Sequence, residues 1–538
     1  MRSSDPAYPP HLSRSTLALF QQLEAAALQA EQHPERTIHV SEVASLPSYI
    51  YERLRNIVDY KDEYLLRKNA TKRFLKRTFL LPHLREPSEK TALALVRELV
   101  LSRYLTNDSL PEAILPPLTL VLRRYYLLLE QGKSAQIKAP RWRQQVIGLA
   151  AVECDALLVS HADRIAYTTY ATGLLKPVLK LAGGGDEELR VTQLVICCQR
   201  VLERADRDIV NYYLLRHHTP GWFAEPADQA VAGLLPKLGE TLTDFAALLE
   251  HPLGRRLMPY LKRLLIPLLV FRSVAAAQRV NLRELVERQD RLLNLVREAY
   301  EQYWNHTRSS IRRKGFHAMA YIFMTKVAIA LLLELPYEQL VVGHITYLPL
   351  GINLIFPPCL MAVITLLIRA PGKVNSERTC QAVLEMVYAG TPDFFKPREL
   401  KPRPLGKFRR FAYGFLYTLT MAATLAVLVS VLRSLGFNVI SGTLFIFFVS
   451  LVSFFGINLR QQARQFRVVQ GRETFAAFLV DFFTLPVVGL GKWLSTTFDR
   501  YNFFVFLLDF LFEVPFKLLL KVLEHWFQVL REKKDEMY

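Results

Sequence analysis

"FHAMAYIFMTKVAIALLLEL", residues 316–335, is an apolar run that holds Lys326 near its centre and Glu334 near its end. Its length is that of one membrane-spanning helix. An ionisable side chain at this depth is costly unless it faces a partner or a cavity, which makes Lys326 a functional-site candidate. The alternative is a shifted or tilted helix in which the ammonium of Lys326 extends to the membrane surface.

Further apolar runs of similar length follow in the C-terminal half of the chain. They predict three more spans, at 344–368, 411–432 and 436–459. The second span is interrupted by Pro357 and Pro358, which suggests a helix broken as in transporters; the alternative is that these prolines have no such role. It also contains Asn353, a candidate partner for Lys326, and Asp481 is another if the segment around it enters the membrane.

The basic residues between the runs predict the orientation of these spans. Arg308, Arg312 and Arg313 precede the first span, whereas the connection that follows it has no Lys or Arg. The connection 369–410 is rich in both residues, and further arginines follow the fourth span. Since basic residues collect on the cytosolic side, both termini are predicted to be cytosolic, in a protein of the cytoplasmic (plasma) membrane.

The N-terminal half has the pattern of an all-α domain. Residues 1–12 are predicted to be disordered, and 13–310 to form a cytosolic helical domain that precedes the membrane region 311–460. Single helices are expected over roughly 140–181 and 186–218, and strand-like alternation is almost absent. Residues 279–313 lack proline and glycine, which predicts a stalk-like helix that continues into the first span.

The C-terminal part, 461–538, contains two apolar segments that also carry charges, 475–494 and 503–530. On a helical wheel the polar residues from Asp509 to Gln528 fall within roughly 160° of arc, which is typical of a helix in the membrane interface. We therefore expect amphipathic surface helices, with Lys517 and Lys521 facing water or lipid phosphates. Two further spans are the alternative.

The formal net charge of +19 favours an anionic partner, and for a membrane protein anionic lipid is considered first. One basic cluster in the N-terminal half is a candidate for contact with lipid head groups or phosphates. It consists of Arg67, Lys68, Lys72, Arg73, Lys76 and Arg77. The cluster lacks the interleaved aromatic residues used to stack bases, so nucleic acid is not expected. A solvated helix face is the alternative.

No catalytic motif is present in the sequence. The five cysteines lack C-x-x-C spacing, and neither G-x-S-x-G, H-E-x-x-H nor a glycine-rich dinucleotide fingerprint occurs. The group Cys154, Asp155, His161 and Asp163 is better explained by ordinary helix residues than by a metal site. The sequence therefore predicts no enzyme activity, no cofactor and no metal.

Two functions remain open. The large helical half favours a membrane-anchored scaffold or regulatory protein that binds an unidentified cytosolic protein. The alternative is a transporter or channel that uses the intramembrane residues Lys326, Glu334 and Asn353.

Overall fold

The computed structural model describes residues 12–30, 36–40, 63–80, 86–135, 137–181, 186–277, 286–366, 373–389, 398–400, 407–465 and 487–494. This part of the chain is all-α, as the sequence predicts, apart from one pair of three-residue strands. Asp481, Lys517, Lys521 and the whole segment 503–530 lie outside the described residues, so the predictions about them stay predictions.

The chain divides into two compact units. Unit 1 comprises Met1–Ala299 together with Glu377–Pro402, and unit 2 comprises Tyr300–Ser376 together with Arg403–Tyr538. A segment from the basic connection between the second and third apolar runs therefore belongs to the same unit as the N-terminal helices.

Unit 1 is a helical domain. Its main helices are α1 (Arg14–Ala30), α2 (Glu63–Leu80), α3 (Glu89–Leu101), α4 (Leu115–Ser134), α5 (Trp142–Leu158), α6 (Ala162–Leu175), α7 (Glu187–Leu202), α8 (Arg207–His218), α9 (Gly221–Ala224), α10 (Ala227–Leu234), α11 (Leu238–Glu250), α12 (Pro252–Leu264) and α13 (Ile266–Ala277). Short 3₁₀ turns, Glu112–Ile114 and Leu235–Lys237, precede α4 and α11.

The prediction of one long helix over 140–181 and another over 186–218 is wrong, because the chain forms two helices in each range. The chain bends by 108° between α5 and α6, where Val159 is extended. Between α7 and α8, Arg204 has a left-handed backbone with φ of 47°, and the side chain of Asp206 accepts from the backbone N–H of Ile209 at 3.1 Å. An aspartate in this role starts a new helix because it satisfies an otherwise unpaired N–H.

Helix α5 lies at the centre of unit 1, packed against α2, α4 and α8. Its side chains are buried from Val146 continuously to Asp155, on every face of the helix. A helix that is buried all round belongs to the core of a large domain. Helices α5 and α6 together are as apolar as a membrane span, but the helices that they contact belong to unit 1.

Two strands and a π-helical turn attach the inserted segment to the rest of unit 1. Strand β1 (Leu179–Leu181) pairs in parallel with β2 (Arg398–Leu400). The π-helical turn Glu385–Ala389 contributes Met386, whose carbonyl accepts from Thr16 Oγ1 at 3.3 Å and from Tyr170 Oη at 3.1 Å.

Six further helices follow in the described residues: α14 (Gln289–Ile329), α15 (Leu335–Tyr337), α16 (Tyr347–Leu366), α17 (Lys373–Leu384), α18 (Lys407–Ser434) and α19 (Val439–Gln465). The four apolar runs lie in α14, α16, α18 and α19, and the first of them continues beyond α14. Two π-helical turns, Ala330–Glu334 and Glu338–Val342, flank α15. The helix from Gln289 to Val341 is continuous and includes the first apolar run. Residues 279–285 of the predicted stalk lie outside the described residues, so the stalk stays a prediction. In the part of the chain that the structure describes, four helices are long and apolar enough to cross a membrane.

Helix α16 continues through Pro357 and Pro358, so the predicted interruption is wrong. Both prolines are buried in unit 2, and α16 packs extensively along α19. Proline removes one backbone donor and crowds the preceding turn, but packing against neighbouring helices allows spans to tolerate it.

The polarity of unit 2 is the reverse of that in a water-soluble domain. Large apolar side chains are exposed along its helices, among them Leu332 (72%), Leu366 (72%) and Phe411 (71%). By contrast Lys326 and Asn353 are completely buried. The apolar runs of this unit thus expose large apolar side chains, while Lys326 and Asn353 within them are enclosed.

A helical segment at 487–494 packs against the middle of α19. A Cβ atom added at Gly491 would lie 2.7 Å from the backbone carbon of Ser450, so the two backbones are in close contact. Small residues permit such approaches between membrane helices. Ser450 lies near the midpoint of α19, so the contact is made away from the ends of that helix. Residues 475–486 lie outside the described residues, and the surface helix predicted over 475–494 stays a prediction.

Candidate functional site

The candidate site is a buried polar cluster in unit 2, formed around the end of the first apolar helix. Helix α14 carries Lys326, and the π-helical turn that follows it carries Glu334. Lys326 Nζ lies 3.4 Å from Glu334 Oε1, and both side chains are fully shielded from solvent. π-Helical turns inside a helix are frequent at functional sites.

Asn353 connects this ion pair to two other helices. Its Nδ2 donates to Glu334 Oε1 and also to the backbone carbonyl of Ser441 at 3.3 Å. Asn353 belongs to α16 and Ser441 to α19, so the cluster joins three of the four apolar helices. The structure thus brings together Lys326, Glu334 and Asn353, the three residues in the predicted transport site that it describes.

A second carboxylate, Glu338, lies one turn further along and is completely buried. Gly343, with φ of 82°, ends the helix and returns the chain to Thr346. Thr346 donates to Glu338 from its backbone N–H at 2.9 Å and its hydroxyl at 2.8 Å, and Asn438 Nδ2 donates at 3.1 Å. Glu338 is thus a well-satisfied link between the turn and the start of α19.

Other atoms of the cluster are not satisfied. Glu334 Oε2 and Asn353 Oδ1 are buried and make no hydrogen bond in this structure. The Ser441 hydroxyl lies near the Glu334 carboxylate but outside hydrogen-bond geometry. Buried polar atoms in proteins are nearly always paired, so unpaired atoms on two groups already in contact call for an explanation.

An aromatic ring completes the surroundings of the ammonium group. Lys326 Nζ lies 4.7 Å from the centroid of the Phe448 ring on α19. The face of an aromatic ring attracts a cation, and more strongly where water is absent. Phe448 therefore offers Lys326 stabilisation that is independent of Glu334.

Sequence reasoning missed Glu338, Thr346, Asn438, Ser441 and Phe448. For Glu338 a signal was present, because it follows Glu334 by one helical turn in a connection without basic residues. For the others the signal was absent, since Thr346 reaches Glu338 through the turn at Gly343 and the other three reach the cluster through the packing of α19 and the residue before it.

Two residues of the basic cluster on α2 are buried and paired with carboxylates inside unit 1, rather than exposed to an external anion. Arg67 Nε donates to Asp155 Oδ1 at 2.6 Å, and Asp155 Oδ2 is 3.0 Å from His161 Nε2. The buried ammonium of Lys68 pairs with Asp206 and Asp208. The prediction that Arg67 and Lys68 contact lipid or phosphate is therefore wrong, because both are enclosed by carboxylates inside unit 1.

The rest of that cluster is only partly available to an external anion. Lys72 pairs with Asp208, and Arg77 donates to Glu98 at 2.6 Å. Arg73 also has an interaction within the chain, and Lys76 is exposed. The acidic partners lie on other helices, Glu98 on α3 and Asp208 on α8, so the sequence of α2 alone did not reveal them.

Unit 1 contains a second set of buried charges, around Glu153. Burial raises the pKa of Glu153, although Tyr125 donates to its Oε2 at 2.7 Å and Trp222 Nε1 donates to the same atom at 3.3 Å. Asp155 differs: burial raises its pKa, but His161 and Arg67 together outweigh that effect and leave the pKa below its usual value. Both carboxylates are paired with side chains of unit 1, which is typical of buried charges that stabilise a core.

Within the described residues, no group of three or more His, Cys, Asp or Glu side chains has the geometry of a metal site. The chain matches no protein-family model, no curated protein and no solved structure in comparisons with known proteins.

Proposed function

We propose that this protein is an integral membrane protein whose four apolar helices cross the bilayer, with both termini in the cytosol. The reversed polarity of unit 2 supports this proposal, because lipid solvates exposed leucine and phenylalanine whereas water does not. The basic residues before the apolar run 316–335, between α16 and α18, and after the apolar run 436–459 support the cytosolic assignment. The contact of Gly491 with Ser450 favours entry of the 475–494 segment into this bundle.

We further propose that the bundle is a transporter or channel, and that a small charged solute crosses at the cluster of Lys326, Glu334 and Asn353. One observation carries the proposal: Glu334 is fully buried, yet one oxygen of its carboxylate has no partner. A purely structural ion pair gains from satisfying every lone pair, since each unsatisfied buried atom costs free energy. An unsatisfied carboxylate inside a membrane bundle is instead suited to a transient ligand.

Flux measurements test this proposal. The purified full-length chain is reconstituted into liposomes of phosphatidylethanolamine and phosphatidylglycerol, and fluxes of H⁺, Na⁺, Rb⁺ and Cl⁻ are recorded under an imposed potential. We expect flux of at least one ion above that of protein-free liposomes, and its loss in Lys326→Met. The control is Glu301→Gln, which changes an exposed carboxylate on the same helix. Absence of flux for all four ions would overturn the transport proposal.

A membrane-anchored scaffold or regulatory protein is the second candidate, and the insertion of 377–402 into unit 1 favours it. Besides the β1–β2 pairing, the backbone N–H of Ser13 donates to the carbonyl of Val387 at 3.0 Å, and Tyr388 Oη donates to the carbonyl of Val286. Residues 377–402 lie between α16 and α18 in the sequence, so the chain passes between unit 1 and unit 2 more than once. Such covalent connections suit a regulatory domain in which the binding of a cytosolic protein to unit 1 alters unit 2.

Crosslinking followed by capture of the full-length chain tests the second candidate. The full chain is required because a fragment ending at residue 310 lacks the segment 377–402, which completes unit 1. A partner that is captured by wild type and lost when Met386 and Tyr388 are both changed to alanine would support regulation through this segment. Capture that is unchanged in that variant would contradict it.

A further inference from the structure

The unpaired atoms of the cluster belong to two groups that already share one hydrogen bond. Asn353 Nδ2 donates to Glu334 Oε1, whereas Asn353 Oδ1 and Glu334 Oε2 have no partner. Both unpaired atoms are oxygens, and two acceptors cannot satisfy each other. Each oxygen therefore requires a hydrogen donor; the nearby Ser441 hydroxyl lies outside hydrogen-bond geometry, and Lys326 Nζ is placed at the other carboxylate oxygen, Oε1.

We propose that a proton bound to Glu334 Oε2 supplies this donor, and that the solute carried by this site is H⁺. This inference rests on the proposed transport function and specifies its substrate. A protonated carboxyl has one O–H donor, which is directed to Asn353 Oδ1 while Asn353 Nδ2 still donates to Glu334 Oε1. The acid and the amide then form a cyclic pair with two hydrogen bonds, and one proton satisfies both unpaired atoms.

The chemical step is a reversible protonation. A proton that enters the site adds to a lone pair of the Glu334 carboxylate and forms one O–H bond; its release breaks that bond and restores the carboxylate. No oxidant, reductant or covalent intermediate is required. Proton relays through buried carboxylates are a common use of ionisable residues within membranes.

The charged groups around Glu334 suit such a step. Lys326 and Glu338 lie on the same continuous helix as Glu334, and Thr346 and Asn438 hold Glu338. Helices α16 and α19 present Asn353 and Ser441 to the carboxylate, and neither of these ionises. When Glu334 is neutral, the ammonium of Lys326 retains the ring of Phe448. Of the described residues, Lys326 is the cation that faces Glu334.

A metal ion is a poorer match for this site than a proton. Calcium requires six to eight oxygen ligands, often several of them carboxylates, and magnesium an octahedron of oxygens. Here the unpaired oxygens are one carboxylate oxygen, one amide oxygen and one hydroxyl, and an ammonium group already lies beside the carboxylate. The second carboxylate, Glu338, is occupied by its three donors.

Infrared difference spectroscopy on the reconstituted full-length protein tests proton binding directly. Lowering the pH should produce the C=O stretching band of a buried carboxylic acid. Glu334→Gln should abolish this band, and Glu301→Gln should retain it. Asn353→Leu should keep the band but shift its frequency, because the acid loses its amide partner. Glu334→Gln is expected to fold, since a glutamine amide can form the same cyclic pair with Asn353.

Proton flux, followed with a pH-sensitive dye trapped in the liposomes, completes the experiment. The inference predicts H⁺ flux in wild type and in Glu301→Gln, and flux at the level of protein-free liposomes in Glu334→Gln. Flux of Na⁺, Rb⁺ or Cl⁻ without an acid band at Glu334 would overturn the proton assignment and leave the transport function standing. An acid band that Glu334→Gln abolishes, without flux of any ion, would support the proton site and overturn the transport function.

Discussion

Lys326 Nζ and Glu334 Oε1 are 3.4 Å apart although eight residues separate them along one helix. In a regular α-helix, residues with this separation lie about 12 Å apart along the axis, so their side chains must extend toward each other. The π-helical turn Ala330–Glu334 lies between them. The pair is thus a product of a local irregularity in the helix as well as of its sequence.

A double-mutant cycle at this pair should show strong coupling. At a pH where Glu334 is ionised, Lys326→Met leaves its buried carboxylate without a cation, and breaking a buried ion pair in this way costs about 3–5 kcal/mol. The double variant Lys326→Met/Glu334→Gln removes both charges and should recover much of that loss. Thermal unfolding in detergent measures the effect, and additive losses in the two single variants would show that the charges are not coupled.

The sequence predicted the polar residues of the site better than their arrangement. Lys326, Glu334 and Asn353 were identifiable because charged and amide side chains are conspicuous in apolar runs. Glu338 and Asn438 were not, since their pairing depends on the turn at Gly343 and on the start of α19. Long-range pairing was also missed in unit 1, where Arg67 donates to Asp155, 88 positions away in the sequence. No local sequence pattern indicates such a pair.

Helical periodicity located most helices but not the breaks within them. The bend after α5 and the start of α8 at Asp206 depend on single capping and turn residues within otherwise helical patterns. Hydropathy located all four apolar helices, because their length and composition are set by residues close together in the sequence. It did not locate the contact of Gly491 with Ser450, which depends on tertiary packing.

Gly148 should tolerate no side chain. A Cβ at this position on α5 would lie 2.6 Å from Asp208 Cγ, and Lys68 and Lys72 hold that carboxylate in place. Gly148→Ala should therefore lower the thermal stability of unit 1 despite the higher helix propensity of alanine. The matched control is Gly173→Ala on α6, where a Cβ would meet no atom within 4 Å. That change should stabilise by up to about 1 kcal/mol; equal effects of the two substitutions would contradict the packing.

Asp155 should make a pH-dependent contribution to the stability of unit 1. Its pKa in the folded protein is lowered from the usual 3.8, because the contacts with His161 and Arg67 outweigh the effect of burial. A lowered carboxyl pKa stabilises the folded state fully above the unfolded value, and this contribution is lost as pH falls through the folded value. The stability difference between wild type and Asp155→Asn should thus be constant from neutral pH to about 4 and should shrink below 3.8.

Denaturant unfolding of the full chain, followed by tryptophan fluorescence at a series of pH values, checks this expectation, because Trp222 is buried in the same core. A difference that grows as the pH is lowered would have the wrong sign and would contradict the assigned role of Asp155.

Gly491 should be required for the attachment of its helical segment to the bundle. A side chain there would press on the backbone of Ser450 and on Phe454 Cβ, which is 2.8 Å from the position of an added Cβ. We expect Gly491→Leu to separate the segment from α19 and to expose it to protease. Gly414→Leu on α18 is the control, because an added Cβ there meets nothing within 4 Å. Similar protease sensitivity in both variants would argue against the contact.

The proposed topology predicts the side of the membrane from which each connection reacts with an impermeant maleimide. The background is Cys359→Ser, because Cys359 is the exposed cysteine in the described part of the chain and the other four are buried. In sealed vesicles of known orientation, cysteines introduced at Ser309 and Gln461 should react from the cytosolic side. Those at His344 and Ser434 should react from the opposite side, since α14 and α18 each cross the bilayer once before them. Cytosolic labelling of His344→Cys would mean that the helix bearing Lys326 and Glu334 does not cross the membrane, and the transport proposal would fall with the topology.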